Sequence, residues 1–224
     1  MCNELDPAPT ARKTIWMASL RRPYRKLLAR DGGLGIWRVD GHRVRDTLDV
    51  DFTNGAHCFT RRYVPEDEIW LDREAPGTGE WRFWAAQQLA ERTAMARGVT
   101  YLRALATGNR ADRAARGAPV DHPLYRRRLG HAAGHEVWLV RGAQVRGVHE
   151  LNFTLGGHRM RYRFIPPGEI WIDDAVAPAE RPAIVHHEAV EIAHMQRGLS
   201  YDEAHALASR AELRYRRGAG RARL

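Results

Sequence analysis

The chain has 224 residues, a formal net charge of +9 and 44% hydrophobic residues, which suits one domain or two small ones. With only Cys2 and Cys58, it excludes a disulfide framework and a cysteine-rich zinc site. No apolar stretch approaches the roughly 20 residues of a membrane-spanning helix, and the first residues lack the basic start and apolar run of a signal peptide. We therefore expect a soluble, cytoplasmic protein without a membrane partner.

The same sequence unit occurs twice. Residues 37–72 align with 138–173 without a gap, and 15 of these 36 positions are identical; the match resumes at 95, which aligns with 195. A repeat of about 90 residues is too long for a solenoid and suits two similar units that pack as an intramolecular pseudo-dimer, an arrangement that allows a monomer and leaves the oligomeric state open. The predicted organisation is an N-terminal extension at 1–22, a degenerate first repeat at 23–112, a linker at 113–122, a second repeat at 123–212 and a basic tail at 213–224.

In chain order, the second repeat begins with a short segment, 123–129, that we predict to be helical. The segments 137–140 and 145–153 predict a hairpin and its continuation. Alternation predicts a strand at 159–165, and Glu169–Asp173 predicts another after a Pro-Pro-Gly break. We expect the same early elements in the first repeat.

Two helices close the second repeat. The first is predicted to start at Pro178 or Pro182, because proline is tolerated only in a first helical turn, and to stop at Gly198. The second begins after Ser200, which forms a capping box with Glu203. The short link makes the pair an αα-hairpin. The predicted fold class is therefore α+β, a tandem duplication of a unit that combines a small antiparallel-rich sheet with an αα-hairpin.

The repeats differ where the second one carries histidines. Residues 186–194 read HHEAVEIAH, whereas the aligned residues 86–94 read AQQLAERTA, and His205 aligns with Leu105. If both repeats adopt one fold, that fold does not require these histidines. Their presence therefore indicates chemistry in the second repeat.

Helical geometry places His187, Glu191 and His194 within about 60° of one another on one face. A histidine and a carboxylate at i and i+4 can chelate one metal ion, which leaves Glu188 as a candidate general base. His187 and His194 lie ~10 Å apart along the helix axis, too far to share an ion. The pair of Glu191 and His194 is the competing choice.

A catalytic zinc site usually takes three protein ligands. The second helix offers His205 and Glu212 on one face, and we prefer His205 because Glu212 aligns with another acid, Asp112. His158 and Trp171 have counterparts in the first repeat, which favours structural roles. The alternatives are support of the ligands for His158 and contact with substrate for either residue.

A resemblance to a known family covers the strand and the two helices. The residues IWID at 170–173, a spacer with prolines and IVHHEAVE at 184–191 resemble minimal zincin metallopeptidases of the ImmA/IrrE type. That resemblance implies a zincin-like second repeat with His187 as first ligand, Glu188 as general base and Glu191 at the second ligand position, where the family has histidine. The chain is also similar to small bacterial and phage proteins that combine H-E-x-x-E with Y-D-x-A-H, here residues 201–205.

Together these features predict a metal-dependent hydrolase that acts on a peptide or amide bond of a peptide or small-molecule substrate. One divalent ion, zinc in preference to iron, would be bound by His187, Glu191 and His205. Two alternatives stay open. The same residues suit a non-haem Fe(II) enzyme with two histidines and one carboxylate. The duplicated unit could instead be a non-catalytic module that binds nucleic acid or an acidic protein through arginine-rich segments, although no nucleic-acid motif is present.

Overall fold

A computed structural model describes residues 24–72, 79–117 and 123–221. The predicted extension at 1–22 lies outside the described residues, as do 118–122 of the linker and 222–224 of the tail. Two compact units divide the chain. The first unit takes the described residues up to Val44 and from Asn54 to Ala115. The second takes Arg45–Thr53 and the described residues from Arg116 onward, so a short segment of the first repeat belongs to the second unit.

Both repeats contain the same elements in the same order, four strands and three helices in the described part of each. The first repeat has β1 (Tyr24–Asp31), β2 (Leu34–Val39), α1 (Gly41–Thr47), β3 (Gly55–His57), β4 (Glu68–Asp72), α2 (Trp81–Ala96) and α3 (Tyr101–Arg116). The second has β5 (Tyr125–Ala132), β6 (His135–Val140), α4 (Gly142–Val148), β7 (Gly156–His158), β8 (Glu169–Asp173), α5 (Arg181–Gln196) and α6 (Tyr201–Arg221).

The strands form two mixed sheets, in the orders β1-β2-β4-β3 and β5-β6-β8-β7. The outer pairings are antiparallel, whereas the central pairs β2/β4 and β6/β8 are parallel. The predicted α+β class with two similar units is confirmed. The parallel pair at the centre was not predicted, because its partners are joined by a long connection and no local pattern reports their pairing.

Three predicted elements are wrong. Within the segment 123–129, residues 125–129 belong to strand β5, which lies at a sheet edge with mostly exposed side chains, so its sequence shows no alternation of polar and apolar residues. The segment 145–153 does not continue a hairpin: it begins inside helix α4 and ends in turns. The segment 159–165 forms turns, in which the His158 carbonyl accepts the backbone N–H groups of Arg161 and Tyr162.

Helix α4 starts at Gly142 because the chain there lies directly against the end of β8. A Cβ atom at Gly142 would stand about 2.1 Å from the carboxylate of Asp173. The same contact recurs between Gly41 and Asp72 in the first repeat. Glycine at this turn is therefore a steric requirement of both repeats.

The helical hairpin follows its prediction closely. α5 has Pro182 in its first turn and ends where Gly198, with a φ of 93°, donates its N–H to the Met195 carbonyl at 3.0 Å. The Ser200 N–H donates to Glu203 Oε2 at 3.0 Å, which forms the predicted capping box. α6 continues to Arg221, so much of the predicted tail is helical. None of the helices in the described ranges combines the length and apolar content needed to cross a bilayer.

Apolar residues pack on both faces of the second sheet, and those on one face hold α5 in place. On one face, Ile170 and Ile172 of β8 pack with Ile184 and Ile192 of α5. On the other, Trp171 packs in a second cluster with residues of β6, α4 and the turns. His187 and Glu191 contact α6, and Glu191 also contacts His158 at the end of β7. Glu188 lies near the same end of β7.

Candidate metal centre

Six ionisable side chains converge in the second unit from three elements. Five of them are buried and the sixth is partly exposed, which is unusual for groups that cost free energy when they lose water. They are His158 at the end of β7, His187, Glu188 and Glu191 on α5, and His205 and Glu212 on α6.

His187, Glu191 and His205, the predicted ligands, bring three donor atoms together. His187 Nε2 lies 3.2 Å from His205 Nδ1 and 3.5 Å from Glu191 Oε2. His205 Nδ1 and Glu191 Oε2 are 2.9 Å apart. Bonds of about 2.0–2.2 Å to a tetrahedral zinc ion would separate its ligand atoms by roughly 3.3–3.6 Å. The three donor atoms therefore have nearly the spacing that one such ion requires, and the residues fit a metal.

A second possible group consists of His158, Glu188 and Glu191. His158 Nε2 lies 2.8 Å from Glu191 Oε1 and 3.8 Å from Glu188 Oε2. However, His158 Nδ1 accepts the backbone N–H of Met160 at 3.2 Å. Since a neutral imidazole has one N–H and one lone pair, Nε2 then carries the proton and donates it to Glu191. This hydrogen bond leaves no lone pair for an ion and directs Glu191 Oε2 toward the first group.

Glu212 supports His187 in the same way. Glu212 Oε2 lies 2.9 Å from His187 Nδ1, and its other oxygen accepts a hydrogen bond from Arg216 Nε at 2.8 Å. When the ring is neutral, an Nδ1 proton held by this carboxylate leaves the Nε2 lone pair facing Glu191 and His205. The geometry thus favours Glu212 as a residue that orients a ligand rather than as a ligand.

Two participants were missed by the sequence analysis. Arg216, in the segment predicted as a tail, joins Glu212 to the buried Glu180, whose Oε1 lies 2.6 Å from Arg216 NH1. Asp51 comes from the Arg45–Thr53 segment of the second unit, and its Oδ1 lies 3.6 Å from His205 Nε2. The i,i+4 spacing of Glu212 and Arg216 on one helix is a local signal that could have found Arg216. No local pattern marks Asp51, because His205 is remote from it in sequence.

Burial and neighbouring charged groups shift the pKa values of several side chains in this cluster. Burial opposes the charged form of His187, but hydrogen bonds to two carboxylates outweigh it and raise the pKa to about 10. Hydrogen bonds to Asp51 and Glu191 raise the pKa of His205 to about 9. Burial also acts on Glu191, yet hydrogen bonds from three histidines hold its pKa well below the usual range. Burial raises the pKa of Glu188 to about 7, which suits a group that exchanges protons near neutrality.

The first unit keeps the packing of this region but lacks both histidine donors. Gln87 and Gln88 stand at the positions of His187 and Glu188, both are buried, and Gln87 Nε2 donates to Asn109 Oδ1 at 2.8 Å. His57 still faces Glu91, with Nε2 and Oε1 3.4 Å apart. Among the described residues, both groups that could hold an ion lie in the second unit.

Two further predicted residues lie apart from the cluster. His194, in the last turn of α5, belongs to neither candidate group. Trp171 is 1% exposed and donates its indole N–H to Glu169 Oε2 at 2.7 Å. Trp70 makes the same bond to Glu68 in the first unit. The structural interpretation of Trp171 is therefore favoured over contact with substrate.

Comparisons of the chain with protein-family models, with curated proteins and with solved structures gave no match.

Proposed function

We propose that the second unit binds one divalent metal ion through His187, Glu191 and His205 and that the protein is a metal-dependent hydrolase. The main support is the triangle of donor atoms, whose sides of 2.9–3.5 Å suit a single ion. The carboxylates of Glu212 and Asp51 and the ring of His158 lie beside these donors. Outer partners of this kind orient metal ligands in proteins. The first unit, with Gln87 and Leu105 at the corresponding positions, indicates that the fold alone does not call for the histidines.

A divalent ion bound at this position would make a coordinated water molecule more acidic and would polarise a carbonyl group. Glu188 is the residue that we assign as proton acceptor, because it adjoins the ligand group and has a pKa near 7. His158 holds Glu191 in its orientation by donating to Oε1. Glu212 holds His187 in its orientation by accepting the Nδ1–H of that ring.

Peptide or amide bonds are the substrate class that we propose. The support is the resemblance to zincin metallopeptidases, whose H-E-x-x-H helix corresponds here to α5 after strand β8. Glutamate at 191 is the departure from that family. A carboxylate at this position reduces the charge of the bound ion more than histidine does, and it also accepts the hydrogen bond of His158.

A second candidate function uses the same ligand set. Two histidines and one carboxylate with open positions also suit Fe(II) and oxygen chemistry. The identity of the metal separates the two functions, because zinc undergoes no redox reaction.

The test is the metal content of the purified protein by inductively coupled plasma mass spectrometry. The chain supplies its own matched variant, H187Q/H205L, which places the first-repeat residues in the second repeat. We expect about one zinc per wild-type chain, and loss of the metal in a variant that keeps its circular dichroism spectrum. Iron in place of zinc would favour the oxygenase. A wild-type protein that takes up neither metal on reconstitution would refute both, and arginine-dependent binding would become the leading function.

A further inference from the structure

The segment Arg45–Thr53 belongs to the first repeat in sequence but to the second unit in structure. It is anchored there by the buried Arg45, whose Nε donates to Glu180 Oε2 at 2.8 Å. Within the segment, Arg45 NH1 also donates to the Phe52 carbonyl at 2.9 Å. Asp46 Oδ1 also accepts from Arg216 NH1 at 3.1 Å. These contacts hold the segment beside α6, the helix that carries His205.

Asp51, on this segment, faces the side of His205 that points away from the candidate ligands. His205 Nδ1 lies 2.9 Å from Glu191 Oε2, whereas its Nε2 lies 3.6 Å from Asp51 Oδ1. The same oxygen of Asp51 accepts a hydrogen bond of 2.7 Å from Ser209 Oγ, one turn after His205 on α6. Ser209 therefore holds the Asp51 carboxylate in place near Nε2, the ring nitrogen of His205 that is farther from the candidate ligands.

The two repeats differ together at these positions. One internal bond is shared, since Arg146 donates to the Phe153 carbonyl at 2.9 Å just as Arg45 does to Phe52. The polar triple differs: Asp51, His205 and Ser209 have the counterparts Asn152, Leu105 and Asn109. The acid at 51 thus faces a histidine at 205, whereas the counterpart positions carry neither an acid nor a histidine.

We propose that Asp51 is a positioning residue of the metal centre, supplied by the first repeat, which holds the outer nitrogen of His205 so that Nδ1 faces the ion. This inference rests on the proposed metal site. Glu212 and His187 form a closer and more buried carboxylate–histidine pair, 2.9 Å apart, on the other side of the ligand group. A carboxylate behind a ligating histidine fixes the ring and makes it a stronger ligand, and its loss typically weakens metal affinity by about 10–100-fold. The first repeat would then contribute a residue to the metal centre of the second unit.

The test compares D51N, which places the second-repeat residue at this position, with wild type and with D67N. Asp67 is exposed before β4 in the first unit, so D67N removes the same charge elsewhere. Zinc affinity is measured by competition with a chromophoric chelator, and the coordination geometry by the visible spectrum of the Co(II)-loaded protein. We expect about 10–100-fold weaker zinc binding and an altered Co(II) spectrum in D51N, wild-type behaviour in D67N, and partial recovery in D51E.

The outcomes separate this inference from the proposed function. If wild type and D51N bind zinc equally and have the same Co(II) spectrum, Asp51 has no role at the centre while the metal site stands. If wild type binds neither Zn(II) nor Co(II), the metal site and the role of Asp51 fall together. S209A is the second variant, since it removes the 2.7 Å bond to Asp51 without changing any charge; we expect a loss of affinity smaller than that of D51N.

Discussion

Glu191 and Glu91 occupy equivalent positions in the two units, so the same substitution can be compared within one chain. Glu191 accepts from His158 through Oε1 and faces His187 and His205 through Oε2. In E191Q the amide oxygen would stay with the His158 N–H, because only an oxygen can accept it. The amide NH₂ group would then point at the position where a ligand atom is needed.

We expect E191Q to weaken zinc binding by on the order of 100-fold or more, beyond the effect of losing an outer partner. Zinc at 100 times the wild-type dissociation constant should add about 2.7 kcal/mol to the free energy of unfolding of the wild type. In E191Q the same zinc concentration would add about 0.4 kcal/mol or less. E91Q should keep the wild-type gain, since Glu91 faces His57 outside the candidate metal groups.

The assay is denaturant unfolding with and without zinc, at equal protein concentration, for wild type, E191Q and E91Q. The difference between the two conditions isolates the contribution of the ion from the intrinsic cost of each substitution. A zinc gain in E191Q equal to that of wild type would refute the assignment of Glu191 as a ligand. An equal loss in E91Q would show that the effect is not specific to the second unit.

Four other predictions concern the candidate base, two pH dependences and the glycine turn before α4. E188Q should retain zinc but lose hydrolysis by about 10²–10⁴-fold; an unchanged rate on a substrate that wild type cleaves would remove Glu188 from the mechanism. Zinc affinity should rise with pH up to about 9–10, because raised pKa values of about 10 for His187 and about 9 for His205 mean that the ion must displace protons; affinity independent of pH from 6 to 9 would contradict this. In the ion-free protein the same raised pKa values stabilise the fold below about pH 6.5, and that contribution is lost as pH rises through 9–10. G142A should destabilise the protein by about 1–3 kcal/mol, because its Cβ would meet the Asp173 carboxylate, as urea denaturation would reveal; wild-type stability would contradict the close approach.

Much of the helical hairpin could be predicted from the sequence, because its signals are local. The stop at Gly198 and the capping box of Ser200 depend on residues within one turn of each other. The helical period likewise placed His187 and Glu191 on one face before any contact was known. Comparison of the two repeats then singled out His187 and His205, since an internal copy with glutamine and leucine separates the needs of the fold from those of the site.

The rest depended on contacts that no local pattern records. Strand β5 is an edge strand with exposed side chains, so its pairing with β6, and not its own alternation, makes it a strand. The parallel pairing of β6 with β8 joins segments separated by a helix and several turns. The residues around the candidate ligands also come from distant parts of the sequence, since Asp51 and Ser209 are 158 residues apart. The residues with the candidate chemistry, and the helices that present them, could be identified from the sequence alone. The partners that orient them are visible only in the folded structure, because hydrogen bonds between distant segments form only once the chain has folded.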